Sequence, residues 1–384
     1  MSPICRSILT PGALARVIAG WGFFVLLQLS GSLLAPPVSS PLLVGALVVI
    51  VGVILYAATG VVRQAEHLAH RLGDPYGSLV LTLSIVMIEV VLISAVMLGP
   101  GEHATIARDS VMAVAMIILN LVIGLCLLVG GLKHGDMAHN RTGTSNYLAL
   151  LVVLSALAFV LPAALGTDGA YQPWQEISII AVTVAIYAFF LYRQTGAQAV
   201  DFTEVDPRLR PGPETAARET TTTRPSLRSV LAEHRTEILA RLALLVITVV
   251  PIVVLSHDMA SLLDDGLGRV GAPPALAGAL IAAIVFLPES LTALRAALAG
   301  EIQRVSNLCH GALVSTVGLT IPAILVIGLL TDQTVVLAES PANLVLLGIT
   351  LGLSLTTFAS SRVTSIHGAA HLVIFAAYGI TVFS

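Results

Sequence analysis

Charged side chains are scarce in this sequence of 384 residues: Asp, Glu, Lys and Arg make up only 11% of it, whereas 56% of its residues are hydrophobic. Soluble globular chains carry about 25% charged residues, because a soluble domain must cover itself with polar surface. The composition therefore excludes a soluble enzyme, a disordered chain and a coiled coil. It predicts an all-α polytopic membrane protein.

Cysteine is nearly absent as well. The three cysteines, Cys5, Cys126 and Cys309, lie far apart and form no disulfide framework and no CxxC metal motif. The sequence contains no HExxH motif and no P-loop, so neither a zinc protease of that type nor ATP-driven chemistry is supported. The net charge of −3 gives no sign of nucleic-acid binding. We expect no cofactor, and we expect the lipid bilayer as the surrounding partner.

Long apolar runs are what the sequence has in abundance. A helix needs about 20 apolar residues to cross the hydrocarbon core of a bilayer. Eleven runs meet this requirement, at residues 13–34, 41–62, 77–98, 111–131, 146–166, 177–196, 237–257, 273–296, 306–330, 341–359 and 368–384. We therefore predict about 11 transmembrane helices.

Positive residues predict the orientation of these helices. With the N-terminus inside, the inner segments hold fifteen Lys and Arg residues, and the outer segments hold only Arg108 and Arg269. Cytoplasmic loops of membrane proteins carry the excess of positive charge. The prediction is an N-terminus inside and a C-terminus outside.

One segment, residues 197–236, is rich in Pro, Thr, Arg and Glu and is predicted to be a flexible cytoplasmic loop. It divides the chain into an extra N-terminal helix at 1–40, a first five-helix repeat at 41–196 and a second at 237–384. Because five is odd, the two repeats have opposite topology. This is the inverted-repeat architecture of many secondary transporters.

Acidic residues are scarce in the apolar runs, and two of them lie well inside, Glu89 in the third run and Glu289 in the eighth. Each is in the second helix of its predicted repeat, so the two occupy matching positions on antiparallel helices. A charged side chain at the bilayer centre is costly and usually marks an ion or proton pathway. We interpret Glu89 and Glu289 as the residues that bind cation and protons.

Weaker signals suggest supporting ligands. Pro288 has no N–H, so the carbonyl of Ile284 loses its helical donor and becomes a possible cation ligand. The other candidates are polar residues within or near the runs: Ser84, Asn120, Ser290, Asn307, His310 and Ser315. Ser and Thr in membrane helices more often bond their own backbone, and Asn307 and His310 fit interfacial anchoring as well as proton access.

Several motifs resemble one family. They are Asp74-Pro75-Tyr76-Gly77 before Glu89, Pro288-Glu289 with Ala293-Leu294, Gln303-Arg304 with Asn307-Leu308, Gly311 through Thr320-Ile321-Pro322, and Gly368-Ala369-Ala370-His371-Leu372. Together they resemble the bacterial calcium/proton antiporters of the ChaA type, within the calcium:cation antiporter superfamily. The wider superfamily has an Asn three residues before each glutamate, where this chain has Val86 and Phe286, which fits the ChaA-like branch.

The resemblance implies secondary active exchange of Ca²⁺ for H⁺ by alternating access, in a bacterial inner membrane. The residues agree, because two carboxylates in a low-dielectric site can be neutralised either by two protons or by one divalent cation. An antiporter of Na⁺ or K⁺ for H⁺ using the same site is the alternative. A membrane-embedded metalloenzyme built on His310, His367 and His371 is the alternative from another class.

Overall fold

The computed structural model describes residues 8–30, 38–72, 86–90, 93–94, 97, 104–206, 208–209, 227–273 and 275–383. Within them, ten helices are long and apolar enough to cross a membrane. They are α1 Pro11–Leu29, α2 Ser40–Leu72, α3 Ile106–His134, α4 Arg141–Leu165, α5 Pro173–Thr195, α6 Leu227–Arg269, α7 Ala275–Ala299, α8 Ile302–Thr331, α9 Pro341–Ala359 and α10 Ser365–Val382. The all-α membrane fold is confirmed, and the third predicted run lies mostly outside the described residues.

Short polar signals start several of these helices. The side chains of Thr10, Asn140 and Ser340 each accept a hydrogen bond from a backbone N–H in the first turn that follows. A proline at the first helical position, as in α1 and α9, has a fixed φ that suits the helix and no N–H to leave unpaired. These caps set the starts of α1, α4 and α9.

Three of the helices contain a π-helical turn. The turns are Ile117–Val122 in α3, Ala156–Val160 in α4 and Thr316–Thr320 in α8. A π turn shifts the backbone hydrogen bonds by one residue and is frequent at functional sites. In the predicted repeats α3 and α8 are equivalent, so this pair shares the distortion.

The described chain forms two compact units. The first comprises residues 1–101 and 220–277 and is built around α1, α2 and α6. Two of its arginines are buried and bonded: Arg16 donates from Nε to Thr59 Oγ1 at 3.0 Å, and Arg241 donates to Glu237 and Gln64, each at 3.0 Å. Each cationic head group is thus satisfied inside the protein.

The second unit comprises residues 102–219 and 278–384 and contains α3, α4, α5, α8, α9, α10 and most of α7. Loops of this unit pair through their backbones at both ends of its helices. Strand β1, Asp136–Ala138 between α3 and α4, pairs antiparallel with β2, Arg362–Thr364 between α9 and α10. At the other end of α4, Ala170 before α5 pairs with Val336 before α9.

The two loop pairings are equivalent under the symmetry that relates the two predicted repeats. The loop between α3 and α4 corresponds to the loop between α8 and α9, and the loop between α9 and α10 corresponds to the loop between α4 and α5. Each pairing therefore maps onto the other at the opposite end of the helices, which is the arrangement that an inverted repeat produces.

The segment 197–236 was predicted to be a flexible loop, but the structure shows helical residues near both of its ends. Ala199–Phe202 forms a short 3₁₀ helix, to which Asn140 and Asn307 donate side-chain hydrogen bonds at the carbonyls of Val200 and Phe202. The segment passes so close to α4 that a Cβ at Gly143 would collide with the carbonyl oxygen of Asp201. At the other end, α6 begins at Leu227.

Candidate cation site

Glu89 lies in a helical stretch, residues 86–90, of the first unit. Its side chain is buried, at 2% exposure. A carboxyl group withdrawn this far from solvent needs a proton, a cation or polar neighbours to offset desolvation. Ser84, the supporting residue predicted beside it, lies outside the described residues.

Glu289 lies in α7 and is half-buried. The helix continues across Pro288, so the proline removes one donor to the carbonyl of Ile284 without breaking the helix. Ser290 donates to the carbonyl of Phe286 at 2.7 Å, which is the backbone bonding that serine commonly makes in membrane helices.

Asn120 lies within the π turn of α3 and is fully buried. Its Nδ2 donates to Thr350 Oγ1 of α9 at 2.9 Å, and its Oδ1 lies 3.2 Å from Nδ1 of His371 in α10. His371 Nε2 lies 3.2 Å from Thr357 Oγ1. The candidate ligand Asn120 is therefore one member of a buried polar network that joins three helices.

His310 lies in α8 and is also fully buried. Its Nδ1 lies 3.0 Å from Ser306 Oγ, which lies 3.1 Å from Thr144 Oγ1 of α4. Its Nε2 has no hydrogen-bond partner among the described residues. The ring packs between Tyr147 and Phe358, with centroid distances of 6.1 and 5.0 Å, so it lies in an aromatic cluster and not at an interface with water.

Asn307 and Ser315, the remaining candidates on α8, have separate partners. Asn307 accepts from Gln303 Nε2 at 2.9 Å and donates to the carbonyl of Phe202 at 2.7 Å. Ser315 donates to the carbonyl of Gly311 at 2.8 Å, and its hydroxyl lies 2.9 Å from the hydroxyl of Tyr187 in α5. Asn307 thus anchors the Ala199–Phe202 segment, and Ser315 joins α8 to α5.

Four residues of these networks were missed in the sequence: Thr144, Tyr187, Thr350 and Thr357. Each bonds a residue of another helix, and the partners of the first three lie far along the chain, so a single sequence carries no signal of the pairing. His371 was named in the sequence only within the Gly368–Leu372 motif and in the metalloenzyme alternative, which pairs it with His367. The structure separates that pair, because His367 Nδ1 accepts from the backbone N–H of Thr364 at 3.1 Å and caps α10. Within the described ranges, no group of three His, Cys, Asp or Glu residues is placed to hold a metal ion.

Two carboxylates outside the helices lie at opposite ends of α3. Near the α3–α4 loop, Asp206 is buried and paired with Arg208 at 2.6 Å, and this hydrogen-bonded pair holds the pKa of Asp206 well below its usual range. At the start of α3, Arg108 Nε lies 2.9 Å from Asp109 and 3.9 Å from Glu339. Burial raises the pKa of Glu339. The pKa is therefore lowered at the carboxylate near one end of α3 and raised at the carboxylate near the other end.

Comparison with known proteins decides the family. Residues 42–196 and 241–384 match the family model of the sodium/calcium exchanger protein. The chain belongs to this sodium/calcium exchanger family. Among curated relatives, the sodium-potassium/proton antiporter ChaA of Escherichia coli strain K12 is 33% identical over 333 residues, which cover 86% of this chain and 87% of that protein. The putative ionic transporter y4hA of Sinorhizobium fredii is also 33% identical over 333 residues, which cover 85% of each.

Solved structures of exchangers share the fold. Native YfkE aligns with a TM-score of 0.68 at 20% identity, over 97% of this chain and 99% of that one. The H⁺/Ca²⁺ exchanger CAX aligns with a TM-score of 0.67 at 14% identity, over 96% of this chain and 87% of that one. The predicted membership of the calcium:cation antiporter superfamily is confirmed.

Proposed function

We propose that this protein is a secondary cation/proton antiporter that exchanges Ca²⁺ for H⁺ and undergoes no covalent chemistry. The observation that carries the proposal is the pair of glutamates in apolar helices, Glu89 and Glu289, at matching positions of the two repeats of an exchanger fold. We also propose that it lies in a bacterial inner membrane with the N-terminus inside, since the positive residues are concentrated in the segments predicted to be cytoplasmic.

The coupling of cation to proton transport follows from the negative charges of the two glutamates. Two carboxylates in an apolar setting bind either two protons or one divalent cation, and each load excludes the other. Ca²⁺ takes six to eight oxygen ligands, so two glutamates need help from carbonyls, hydroxyls or water. The Ile284 carbonyl, deprived of its donor by Pro288, is suited to this role. Alternating access by movement of the repeats then exposes the loaded residues to one side at a time.

A Na⁺ or K⁺/H⁺ antiporter is the alternative, and one specific observation favours it. The relative that shares 33% of its residues over most of the chain is named a sodium-potassium/proton antiporter, whereas the H⁺/Ca²⁺ exchanger shares 14%. Both cation classes use the same competition with protons, so they differ in stoichiometry and not in the residues that carry the exchange.

The test is cation-dependent proton flux in inside-out vesicles with Ca²⁺, Na⁺ and K⁺ in turn. We expect Glu89→Gln and Glu289→Gln each to abolish exchange, because glutamine keeps the shape but neither carries the charge nor releases a proton. Glu301→Gln is the matched control, since Glu301 lies outside the helices in an ion pair with Arg304 at 3.0 Å. Full exchange in either membrane variant would remove that residue from the mechanism.

The same vesicles separate the two cation classes. The apparent KM for the transported cation should fall as pH rises from about 6 to 9, because protons and cation compete for the same carboxylates. The dependence should approach two protons for each Ca²⁺ and one for each monovalent ion. A KM that is independent of pH contradicts competition.

A further inference from the structure

The π turn of α3 leaves one backbone carbonyl without its usual donor. In an α-helix the N–H of Ile123 would donate to the carbonyl of Leu119, four residues earlier. Here it donates to the carbonyl of Ile118, five residues earlier. The Leu119 carbonyl thus loses its helical donor inside a buried helix, which makes the turn a costly distortion that depends on support from neighbouring groups.

A side chain of α10 lies against this turn. The ring of His371 is fully buried and places Nδ1 at 3.2 Å from Oδ1 of Asn120, the residue after Leu119. His371 therefore contacts the π turn through the side chain of Asn120.

A single arrangement of protons satisfies the whole network. Asn120 donates from Nδ2 to Thr350, so its Oδ1 is an acceptor and His371 Nδ1 must carry a proton. His371 Nε2 then accepts from the hydroxyl of Thr357, 3.2 Å away. The neutral imidazole protonated on Nδ1 thus pairs the side chains of Asn120, Thr350, Thr357 and His371 with one another.

Glycines fix the spacing on which these bonds depend. A Cβ at Gly368, one turn before His371, would lie 2.5 Å from the carbonyl oxygen of Gly124, one turn after Asn120. A Cβ at Gly131 would lie 2.9 Å from Cα of Ser365. The two helices thus touch backbone to backbone in the turns between the network and the α3–α4 loop, and His371 has little freedom to move away from the turn.

The braced helix packs directly against α7, the helix of Glu289, within the same unit. A Cβ at Gly130 of α3 would lie 3.1 Å from the carbonyl oxygen of Ala297, and Lys133 donates to the carbonyl of Leu298 at 2.8 Å. The π turn and Glu289 therefore lie on neighbouring helices.

We propose that His371 is a positioning residue for cation binding: from α10 it holds the π turn of α3 and the amide of Asn120 in the binding-competent geometry. This rests on the proposed cation/proton exchange. The residue does not contact the transported ion, so its loss weakens cation binding and does not abolish transport.

A series of three substitutions tests this role. His371→Leu removes both ring nitrogens and should raise the apparent KM for Ca²⁺ by roughly tenfold with a smaller change in maximal rate. His371→Asn places its amide nitrogen where Nδ1 lies, so it should restore a KM close to wild type. His371→Gln places its amide nitrogen nearer Thr357 and should not. Ser354→Ala is the control, because Ser354 lies on α9 between Thr350 and Thr357, is fully buried and has a hydroxyl without a hydrogen-bond partner in the described part of the chain.

Two results would overturn the proposal: a wild-type KM in His371→Leu, or an Asn variant as weak as the Gln variant. Amide hydrogen exchange of residues 117–124 in purified protein gives a readout that needs no transport. We expect faster exchange in the Leu and Gln variants and wild-type exchange in the Asn variant, and equal exchange in all of them would also refute the bracing. If wild type itself shows no cation-dependent proton flux, the proposed function fails, and hydrogen exchange still decides whether His371 braces the turn.

Discussion

Two helix pairs in the second unit are equivalent under the inverted repeat, α3 with α10 and α8 with α5. Both place a π turn against the partner helix, and both bond it there with a buried polar side chain. In the first pair Asn120 meets His371 at 3.2 Å, and in the second Ser315, the residue before the π turn, meets Tyr187 at 2.9 Å.

The two pairs differ in what fills the interface. In α3 and α10, glycines bring backbone against backbone, whereas in α8 and α5 Gly318 packs against the ring of Tyr187. Backbone cannot yield without moving a whole helix, but a ring can turn or shift by a few tenths of an ångström. The two equivalent helix pairs therefore share a shape, while α3 and α10 are packed rigidly and α8 and α5 can adjust.

The sharpest test of this difference is to add one methyl group to each interface. Gly368→Ala places a Cβ against backbone atoms of Leu128 and Gly124, and we expect a loss of about 3 kcal/mol in stability, at the upper end of overpacking effects. Gly318→Ala meets a ring carbon of Tyr187 at 2.9 Å and should lose about 1 kcal/mol. Thermal unfolding in detergent measures both, with Gly348→Ala as the control because nothing lies near its Cβ. Equal losses at the two glycines would contradict the assignment of one rigid and one adjustable helix pair.

The two ends of α3 also differ, and we expect the contributions of Asp206 and Glu339 to stability to depend on pH in opposite directions. Because the folded pKa of Asp206 is lowered by Arg208, its contribution to stability is present at neutral pH and is lost as pH falls through the acidic range. Because the folded pKa of Glu339 is raised by burial, its contribution is present at acidic pH and is lost as pH rises through that raised value.

Substitution should remove each response separately. Asp206→Asn should destabilise the protein at pH 7 by about 1.5–3 kcal/mol, the usual contribution of a charge-assisted hydrogen bond, and should flatten the acid side of the stability curve. Glu339→Gln should flatten the curve on its rising-pH side and have a smaller effect at pH 5. Unfolding temperatures from pH 4 to 8 give both curves, and curves with slopes of the same sign would refute the contrast.

We expect the smallest effect when the contact between Tyr187 and Ser315 is removed. Tyr187→Phe removes the hydroxyl that meets Ser315 but leaves Ser315 bonded to the carbonyl of Gly311. We expect a loss of about 1 kcal/mol in stability and no change in the KM for cation, in contrast to His371→Leu. A KM shift as large as that of the histidine variant would show that both π turns position the site.

The sequence predicts the helices better than their ends or their distortions. Ten of the eleven apolar runs correspond to helices that the structure describes, because apolar length reports the thickness of the hydrocarbon core directly. It does not report where a helix stops, so α2 continues to Leu72 and α6 begins at Leu227, through residues that are polar but still helical. The π turns leave no periodic signal, since a shift of one residue inside an apolar run changes nothing in the composition.

In the candidate site, too, the sequence predicts some residues and misses others. Glu89 and Glu289 stand out because a carboxyl group in an apolar run is rare for a physical reason. Asn120 stands out for the same reason, but its partners Thr350 and His371 come from helices far along the chain, and only the folded packing brings them together. Residues 199–206 have the composition of a loop, and the close approach at Gly143 that orders them depends on tertiary structure.

The exchanged loop pairings have a consequence for how the protein is made. During synthesis, Asp136–Ala138 and Ala170 leave the ribosome long before Val336 and Arg362–Thr364, their partners, exist. Contacts so distant along the chain form late and slowly. The first half must therefore wait in the bilayer with these loops unpaired, and a nascent chain that stops before Val336 can close neither end. The C-terminal part of the chain therefore completes the fold, because it supplies the partner of each of these two loops.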